Sequence, residues 1–400
     1  MGKINIFEIS FGNGSGVYYP GNAVDGHVTV ELKEPIKMRG IRLQFEGKAY
    51  VDWSESYSKK PRNYSATEKY FFHEDLLFGI WPKQGSETKE LPSGRHTFPF
   101  QFILPLGLPS SFEAGTGYVR YTVSCNIDRP WKIDHTTLRP FTVIALLDLN
   151  QQPNCMLSLR QTKQKDFCCL CCKSGPVQAN FSIERKGYVP GEAIKLFAEI
   201  SNGSDKIMEK SYVDLKMVIT FNATTNIKIE IRDVARVTRP SIEKYSKDTW
   251  SGEELVIPPL PPSFLTGCKI INIIYMLQLT VDPSGLGLDL NVPLEIIIGS
   301  IPHVSVAQMY QPKLSPPQTM ALGTNSSPTD TENLYPNPPP TSAPILTPYS
   351  FGESTIGHYK MTEGYNEYTF TTGKLEYSPV YPYYNFGLTA GAPPEGCSKS

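Results

Sequence analysis

The sequence has no run of about 20 apolar residues, so we expect no α-helix that spans a membrane. Its first residues, MGKINIFEIS, lack the charged and apolar segments of a secretory signal. Four of the eight cysteines lie within residues 168–172, which is not the spacing of a disulfide framework. The formal net charge of −1 provides no bulk attraction to nucleic acid. These absences favour a protein of the reducing cytosol.

Common catalytic motifs are also missing. The six histidines include no H-E-x-x-H pair, and the sequence contains neither a G-x-S-x-G elbow nor a P-loop. Few windows combine a sustained 3.6-residue period with capping residues, so we expect little helix. The sequence therefore predicts an all-β protein that acts by binding, is not an enzyme and carries no cofactor.

One strand-rich unit occurs twice. Residues 17–32 (VYYPGNAVDGHVTVEL) resemble residues 187–202 (GYVPGEAIKLFAEISN), and each copy has Pro-Gly followed by an alternating apolar stretch. Further on, residues 108–128 and 261–282 each combine a Pro-rich turn, a glycine and a long strand pattern. Alternation of apolar and polar residues is typical of strands with one buried face. The repeat predicts two similar β lobes.

Four regions follow from this repeat. We predict an N-terminal lobe at 1–150, a Cys-rich connector at 151–175, a C-terminal lobe at 176–301 and a tail at 302–400. Within the first lobe we expect residues 52–94 to form a long surface loop, with room for one more strand pair. The tail contains fifteen prolines, ten tyrosines and no arginine, a composition that predicts disorder with polyproline-II segments. Its tyrosines indicate docking points, or contacts back onto the lobes.

The order and spacing of these segments resemble the α-arrestins, the arrestin domain-containing proteins. The connector CCLCCKSGPV and the runs ERKGYVPGEAI and IPPLPP carry the resemblance, together with FGEST (351–355) and SPVYPYYNFG (378–387) in the tail. The resemblance implies two arrestin-type, immunoglobulin-like β-sandwich lobes without enzymatic activity. It also implies a cytoplasmic adaptor, recruited to the plasma membrane and endosomes, that binds cytoplasmic segments of membrane proteins. The tail would link this cargo to endocytic machinery or to HECT-type ubiquitin ligases.

The ligase link depends on a motif that this sequence lacks. WW domains of such ligases bind P-P-x-Y, in which a polyproline helix and a tyrosine fill adjacent pockets, and no P-P-x-Y occurs here. The nearest candidate WW-binding residues in the tail are Pro338, Pro339, Pro340, Thr347, Pro348 and Tyr349. The alternative is a ligase-independent sorting scaffold that resembles a retromer-type arrestin-fold subunit.

The cysteine cluster has three interpretations. Its members are Cys168, Cys169, Cys171 and Cys172. S-acylation would give an adaptor that works at membranes a lipid anchor. Alternatively the thiols pack as small apolar groups. A metal site would need all four sulfurs to converge on one ion, although neighbours in an extended chain point to opposite sides.

Two tyrosine motifs in the tail fit the Y-x-x-Φ sorting pattern. They are Tyr377 with Val380, and Tyr383 with Phe386. In this pattern an extended peptide adds to a sheet edge while the tyrosine and the apolar residue enter pockets. The alternative is that this aromatic run folds back onto a lobe.

Overall fold

The computed structural model describes residues 3–57, 60–81, 87–166, 168–169, 172–173, 175–285, 288–310, 349–354, 356–360, 369–370 and 376–386. Strands dominate these residues, and they form two β-sandwich lobes followed by tail segments that contact both lobes. The all-β, two-lobed prediction is confirmed. Among the described residues, no helix is long and apolar enough to cross a membrane.

Eleven strands form the first lobe in the described part of residues 3–148. They are β1 (Ile4–Phe11), β2 (Val17–Tyr18), β3 (Ala23–Leu32), β4 (Ile36–Met38), β5 (Gly40–Tyr57), β6 (Lys60–Gly79), β7 (Lys89–Leu91), β8 (Gly94–Ile103), β9 (Phe112–Glu113), β10 (Gly117–Asp128) and β11 (His135–Val143). One sheet has the order β1-β3-β8, and the facing sheet has the order β2-β11-β10-β5-β6, with β9 paired to β10. Strands β4 and β7 form a separate pair.

A 3-10 turn, Leu149–Gln151, leads to the second lobe. Its strands, with the short connector hairpin β13–β14, are β12 (Leu159–Lys165), β13 (Cys168–Cys169), β14 (Cys172–Lys173), β15 (Val177–Ile183), β16 (Gly187–Tyr188), β17 (Ala193–Asn202), β18 (Met208–Asn222), β19 (Ile227–Arg239), β20 (Lys247–Val256), β21 (Ile271–Pro283) and β22 (Leu290–Ile298). The sheets have the orders β12-β15-β17-β20 and β16-β22-β21-β18-β19. This second order repeats that of the first lobe, strand for strand.

Strand β12 lies inside the segment that the sequence predicts as a connector. It pairs with β15 along its whole length and extends the sheet at one edge. Its sequence, LRQTKQK, is mostly polar and exposed. Because an edge strand of this kind buries little, it carries no apolar alternation by which the sequence would reveal it.

Residues 52–94 contain the strand pair that the sequence allows, but much less loop than we expect. Strand β5 continues to Tyr57, and β6 runs back over twenty residues, so that the two strands form one long hairpin. Tyr64, Ala66 and Tyr70 of β6 pack against the core, while residues 65, 67 and 69 between them are exposed. The second lobe has an equivalent hairpin in β18 and β19.

The cores of the two lobes meet at Gly117, the first residue of β10. A side chain there would lie 2.7 Å from the Tyr50 carbonyl and 3.2 Å from the Phe221 ring of the second lobe. Both lobes contribute to one continuous cluster of buried apolar side chains. Glycine therefore permits the close approach of the lobes at this point.

The tail contains ordered elements. They are α1 (Val304–Tyr310), β23 (Tyr349–Glu353), β24 (Tyr359–Lys360), β25 (Glu376–Tyr377) and β26 (Val380–Tyr384). Strand β23 pairs with β26, and β24 pairs with β25. In these segments the tail packs back onto the lobes, which is one of the two roles that its tyrosines indicate. Tyr381, Tyr384 and Phe386 are buried, and so are Val306 and Ala307 of α1, and burial of this apolar surface orders the segments on the lobes.

Candidate functional site at the lobe junction

The paired strands β23 and β26, here called the tail hairpin, lie against both copies of the repeated Pro-Gly turn. In the first lobe the Tyr19 hydroxyl lies 3.0 Å from the Tyr349 hydroxyl. In the second lobe the Tyr384 N–H donates a hydrogen bond of 3.0 Å to the Pro190 carbonyl. The repeated turns therefore form the surface on which the tail docks.

The glycine of each turn adopts a conformation that other residues rarely reach. Gly21 has a φ of 85° and Gly191 a φ of 96°, which lie in the left-handed region that favours glycine. A side chain on Gly191 would also overlap the Tyr384 carbonyl. Glycine at 191 thus serves the turn and the close approach of the tail hairpin.

The tail hairpin adds side chains to a small apolar cluster beside each lobe. The first cluster consists of Leu149, Cys155, Val189, Ile297, Val306, Tyr384 and Phe386. The second consists of Val17, Tyr19 and Ile144, against which Phe351 and Val380 pack. The first cluster joins the linker, the second lobe, α1 and the tail. Burial of this apolar surface favours the docked position of the hairpin.

Two buried tyrosines of β26 each donate a hydrogen bond to a backbone carbonyl of a lobe. The Tyr381 hydroxyl donates to the Ser111 carbonyl at 2.9 Å, and the Tyr384 hydroxyl donates to the Ser300 carbonyl at 2.7 Å. Because buried hydroxyls require partners, these bonds fix the alignment of the hairpin on the first lobe and on the end of the second lobe.

A third tyrosine, Tyr377 of β25, extends this row. Its hydroxyl donates to the Phe141 carbonyl at 3.0 Å and lies 3.0 Å from the Thr142 hydroxyl. Burial raises the pKa of Tyr377, Tyr381 and Tyr384 above the ordinary value of 10.0. The physical cause is that a buried phenolate would lose its solvation. The three hydroxyls therefore stay protonated at neutral pH.

Arg120 of β10 lies between two tyrosine rings, one from the lobe and one from the tail. Its guanidinium carbon is 3.7 Å from the centre of the Tyr118 ring and 3.6 Å from that of Tyr359. The guanidinium also donates two hydrogen bonds, of 2.7 and 2.8 Å, to the buried Glu113 carboxylate. Burial raises the pKa of Glu113, although Arg120 acts in the opposite direction. The tail ring thus covers a buried ion pair.

Further contacts hold other tail segments to both lobes. The Phe370 ring lies 6.1 Å from the Phe7 ring and 5.1 Å from the His135 ring, and its N–H donates to the Thr136 carbonyl at 2.8 Å. From the second lobe, the Arg232 side chain of β19 donates to the carbonyl of Ile356. The described tail segments therefore contact both lobes at several separate points.

Most candidate WW-binding residues lie outside the described part of the structure, namely Pro338, Pro339, Pro340, Thr347 and Pro348. Tyr349 is described, and its ring packs against Phe351 and Tyr384, with ring centres 5.5 and 5.6 Å apart. A WW domain would need this ring in its own pocket. Binding of a WW domain at Tyr349 and docking of the tail hairpin therefore exclude each other.

The residues of the two sorting motifs all lie on or beside the lobes. Phe386 is buried, and the side chains of Tyr377, Val380 and Tyr383 are half-buried. This is the placement that the fold-back alternative anticipates. An adaptor that recognises Y-x-x-Φ needs both side chains free, so the sorting motifs remain a prediction that requires release of the tail.

The described cysteine backbone forms the hairpin β13–β14, in which Cys169 lies opposite Cys172 and Cys168 lies opposite Lys173. Cys171, and the side chains of the other three cysteines, lie outside the described residues. Acylation, apolar packing and metal binding therefore stay open as predictions for this cluster.

Residues that the sequence does not single out form the docking surface. Ser111 and Ser300 offer backbone carbonyls, which every residue possesses, so no motif marks them. Arg120 occurs in an ordinary alternating strand, YVRYTVSCNID. The high tyrosine content of the tail is the signal that points to docking, and the structure identifies which tyrosines are used.

Comparison with known proteins agrees with this architecture. Residues 7–150 match the family model "Arrestin (or S-antigen), N-terminal domain", and residues 173–303 match "Arrestin (or S-antigen), C-terminal domain". The chain is 32% identical to arrestin domain-containing protein 17 of Caenorhabditis elegans, over 76% of this chain and 72% of that protein. It is 34% identical to arrestin domain-containing protein 4 of Mus musculus, over 76% and 73% of the two chains. The chain therefore belongs to the arrestin domain-containing, or α-arrestin, family.

Proposed function

We propose that this protein is a cytosolic adaptor in membrane-protein trafficking. Its β lobes bind cytoplasmic segments of membrane cargo, and its tail links that cargo to endocytic or ubiquitin-ligase machinery. Membership of the arrestin family supports an adaptor role in trafficking in general. The protein acts by binding, without catalysis, and works at the plasma membrane and endosomes.

The observation that carries the proposal is the position of the tail hairpin across both lobes. Tyr381 bonds to the first lobe and Tyr384 to the end of the second lobe. A movement of one lobe relative to the other would therefore strain this contact. In our proposal, cargo that shifts the lobes frees the tail, and the free tail then exposes Tyr349 and the sorting motifs.

Acylation of the cysteine cluster would support the same function. The hairpin β13–β14 precedes β15, the strand next to the sheet edge of the second lobe. Acyl chains on Cys168, Cys169, Cys171 or Cys172 would hold this lobe at a membrane surface. Two chains anchor a protein far more stably than one, so a cluster of four cysteines suits this role.

Capture of cargo tests the adaptor proposal. Full-length protein would be incubated with detergent-solubilised membranes, and the recovered proteins identified by mass spectrometry. We expect enrichment of transmembrane proteins, and direct binding of synthetic peptides from their cytoplasmic segments. An unrelated β-sandwich protein with the same affinity tag is the control. If transmembrane proteins are no more abundant than in the control, the proposal fails.

The ligase-independent scaffold is the second candidate, and the absence of P-P-x-Y favours it. Titration of full-length protein with WW domains of HECT ligases distinguishes the ligase-linked adaptor from the ligase-independent scaffold. If a ligase is recruited through Tyr349, Tyr384→Phe should strengthen binding because it loosens the tail hairpin, and Tyr349→Ala should abolish it. Binding that stays absent in Tyr384→Phe contradicts the ligase link and leaves the sorting scaffold.

A further inference from the structure

Strand β19 is the last strand of its sheet and runs over thirteen residues, Ile227–Arg239. Its ladder partner is β18, and among the described residues no strand pairs with its other side. Every second N–H and C=O group along β19 therefore faces away from β18, at a free sheet edge. A long free edge of this kind can pair with a further strand.

Three isoleucines make this edge apolar on its solvent face. Ile227, Ile229 and Ile231 are 60, 62 and 62% exposed, and they alternate along one side of the strand. Ile231 lies opposite Val218 of β18, which in turn lies opposite Ile274 of β21. Single exposed apolar residues are common, but a row that continues across three strands indicates an interaction surface.

The opposite face of the same segment carries charges of both signs. Lys228 and Glu230 lie two residues apart and form an ion pair of 3.0 Å within the chain. Both side chains also contact Thr116 of the first lobe: Lys228 donates to the Thr116 hydroxyl at 2.9 Å, and that hydroxyl donates to the Glu230 carboxylate. Their side chains are 37 and 22% exposed, so a strand added to the edge would share these charges with Thr116. Charges on an edge strand usually prevent pairing, unless the incoming strand offers the opposite sign at the right position.

The segment Ile-Lys-Ile-Glu-Ile is its own complement when two copies run antiparallel. We infer that β19 binds the β19 strand of a second copy of this chain, antiparallel, with a two-fold axis through Ile229. In this register Ile229 faces Ile229 of the second copy, and Ile227 faces Ile231. On the other face Lys228 of each copy faces Glu230 of the other copy. Residues directly opposite share a face of the sheet, with Cβ atoms about 4.5–5.5 Å apart.

This register pairs isoleucine with isoleucine on one face and lysine with glutamate on the other, throughout the segment. Moving the axis by one residue places Lys228 opposite Lys228, or Glu230 opposite Glu230, and like charges directly opposite destabilise a strand pair. Moving the axis from Ile229 to Ile231 places Ile229 opposite Asp233. The charges therefore select the alignment, and the isoleucines supply the buried apolar surface. A strand of unrelated sequence would have to reproduce this pattern, which a second copy possesses already.

Association of full-length protein tests the inference. Sedimentation velocity across a micromolar concentration series should show a monomer–dimer equilibrium. Lys228→Glu and Glu230→Lys should each weaken dimerisation by roughly tenfold or more, because each places two like-charge pairs across the axis. Ile229→Lys places two cations on the axis and should abolish the dimer. Ile133→Lys replaces an exposed isoleucine elsewhere (59% exposed) and should leave the dimer unchanged.

A mixture of the two charge variants provides the sharpest control. Lys228→Glu in one chain restores opposite charges only when the other chain carries Glu230→Lys, so the mixture should form heterodimers. An effect on the ion pair within one chain would not be rescued by mixing. A wild-type protein that stays monomeric overturns the inference, as does a mixture that associates no better than its components. Thermal unfolding of each variant checks that the fold is retained, and Ile229→Lys tests the axis without touching the ion pair.

Discussion

Tyr384 donates a hydrogen bond of 2.7 Å from its hydroxyl to the backbone carbonyl of Ser300. The Ser300 hydroxyl in turn accepts a hydrogen bond of 2.7 Å from the Leu147 N–H. One residue at the end of the second lobe thus joins the linker between the lobes to the tail. A change in the position of the linker would therefore reach the tail through Ser300.

Tyr384→Phe should loosen the tail hairpin and leave the lobes folded. The substitution keeps the ring but leaves the Ser300 carbonyl without this donor, which costs about 1–2 kcal/mol. Because about 1.4 kcal/mol corresponds to a factor of ten, hydrogen exchange at 380–384 should become roughly tenfold faster. Hydrogen-exchange mass spectrometry measures this effect, and the exchange of β10 and β21 should not change.

Tyr383→Phe is the matched control for that substitution. Tyr383 is the residue before Tyr384 in β26. Its side chain is half-buried and lies on the opposite face of the strand from that of Tyr384. We expect its exchange rates to equal those of the wild type. Equal rates for Tyr384→Phe and Tyr383→Phe would contradict the role of the Ser300 bond.

Gly117→Ala should destabilise the contact between the lobes. The new methyl group would lie 2.7 Å from the Tyr50 carbonyl and 2.8 Å from the Val51 side chain, and such overpacking typically costs about 1–3 kcal/mol. Gly115→Ala is the control two residues away, because no atom lies within 4 Å of its Cβ position. Denaturant unfolding should separate the two variants. Equal denaturant midpoints for Gly117→Ala and Gly115→Ala would show that the backbone at Gly117 can shift to accommodate the methyl group.

Sequence alone predicts the two lobes because their information is local. Strands such as β10 alternate buried and half-exposed residues at period two, and the repeated Pro-Gly turns mark corresponding positions in each lobe. A periodic pattern and a repeat can be recognised without knowing what contacts what. Strand β12, which is polar and exposed, lacks this local signal and is missed.

The tail site could not be predicted in the same way, because it depends on distant partners. The Tyr381 hydroxyl and the Ser111 carbonyl are 270 residues apart in the sequence. Its acceptor is a backbone atom that any residue would provide, so no side-chain motif marks it. The proline-rich composition between residues 311 and 348 also favours disorder and thereby dominates the prediction for the whole tail.

Arg120→Met should destabilise the first lobe by about 3 kcal/mol, because it leaves the Glu113 carboxylate buried without its cation. Glu113 is 3% exposed. Adding Glu113→Gln to Arg120→Met should recover part of the loss, since a neutral amide is less costly to bury than a charge. The free energy of unfolding from urea titration is the measurement.

Arg139→Met is the control for the loss of a cation, because Arg139 is exposed in the neighbouring strand β11. A surface substitution of this kind should change stability by less than about 0.5 kcal/mol. An Arg120→Met protein as stable as Arg139→Met would mean that Glu113 is satisfied by other groups.

Docking of the tail should be lost at alkaline pH. Burial raises the pKa of Tyr377, Tyr381 and Tyr384 in the docked state above 10.0, whereas a released tyrosine ionises near 10. The released state therefore loses protons first. The contribution of these tyrosines to the free energy of docking is fully present below pH 10. It falls as the pH rises further, by about 1.4 kcal/mol per pH unit for each tyrosine.

Brief pH jumps combined with limited proteolysis should show cleavage of the tail that increases above pH 10. Replacing all three tyrosines with phenylalanine should remove this pH dependence, while Tyr383→Phe should retain it. Cleavage that is independent of pH in the wild type until the lobes themselves unfold would contradict the burial of these hydroxyls in solution.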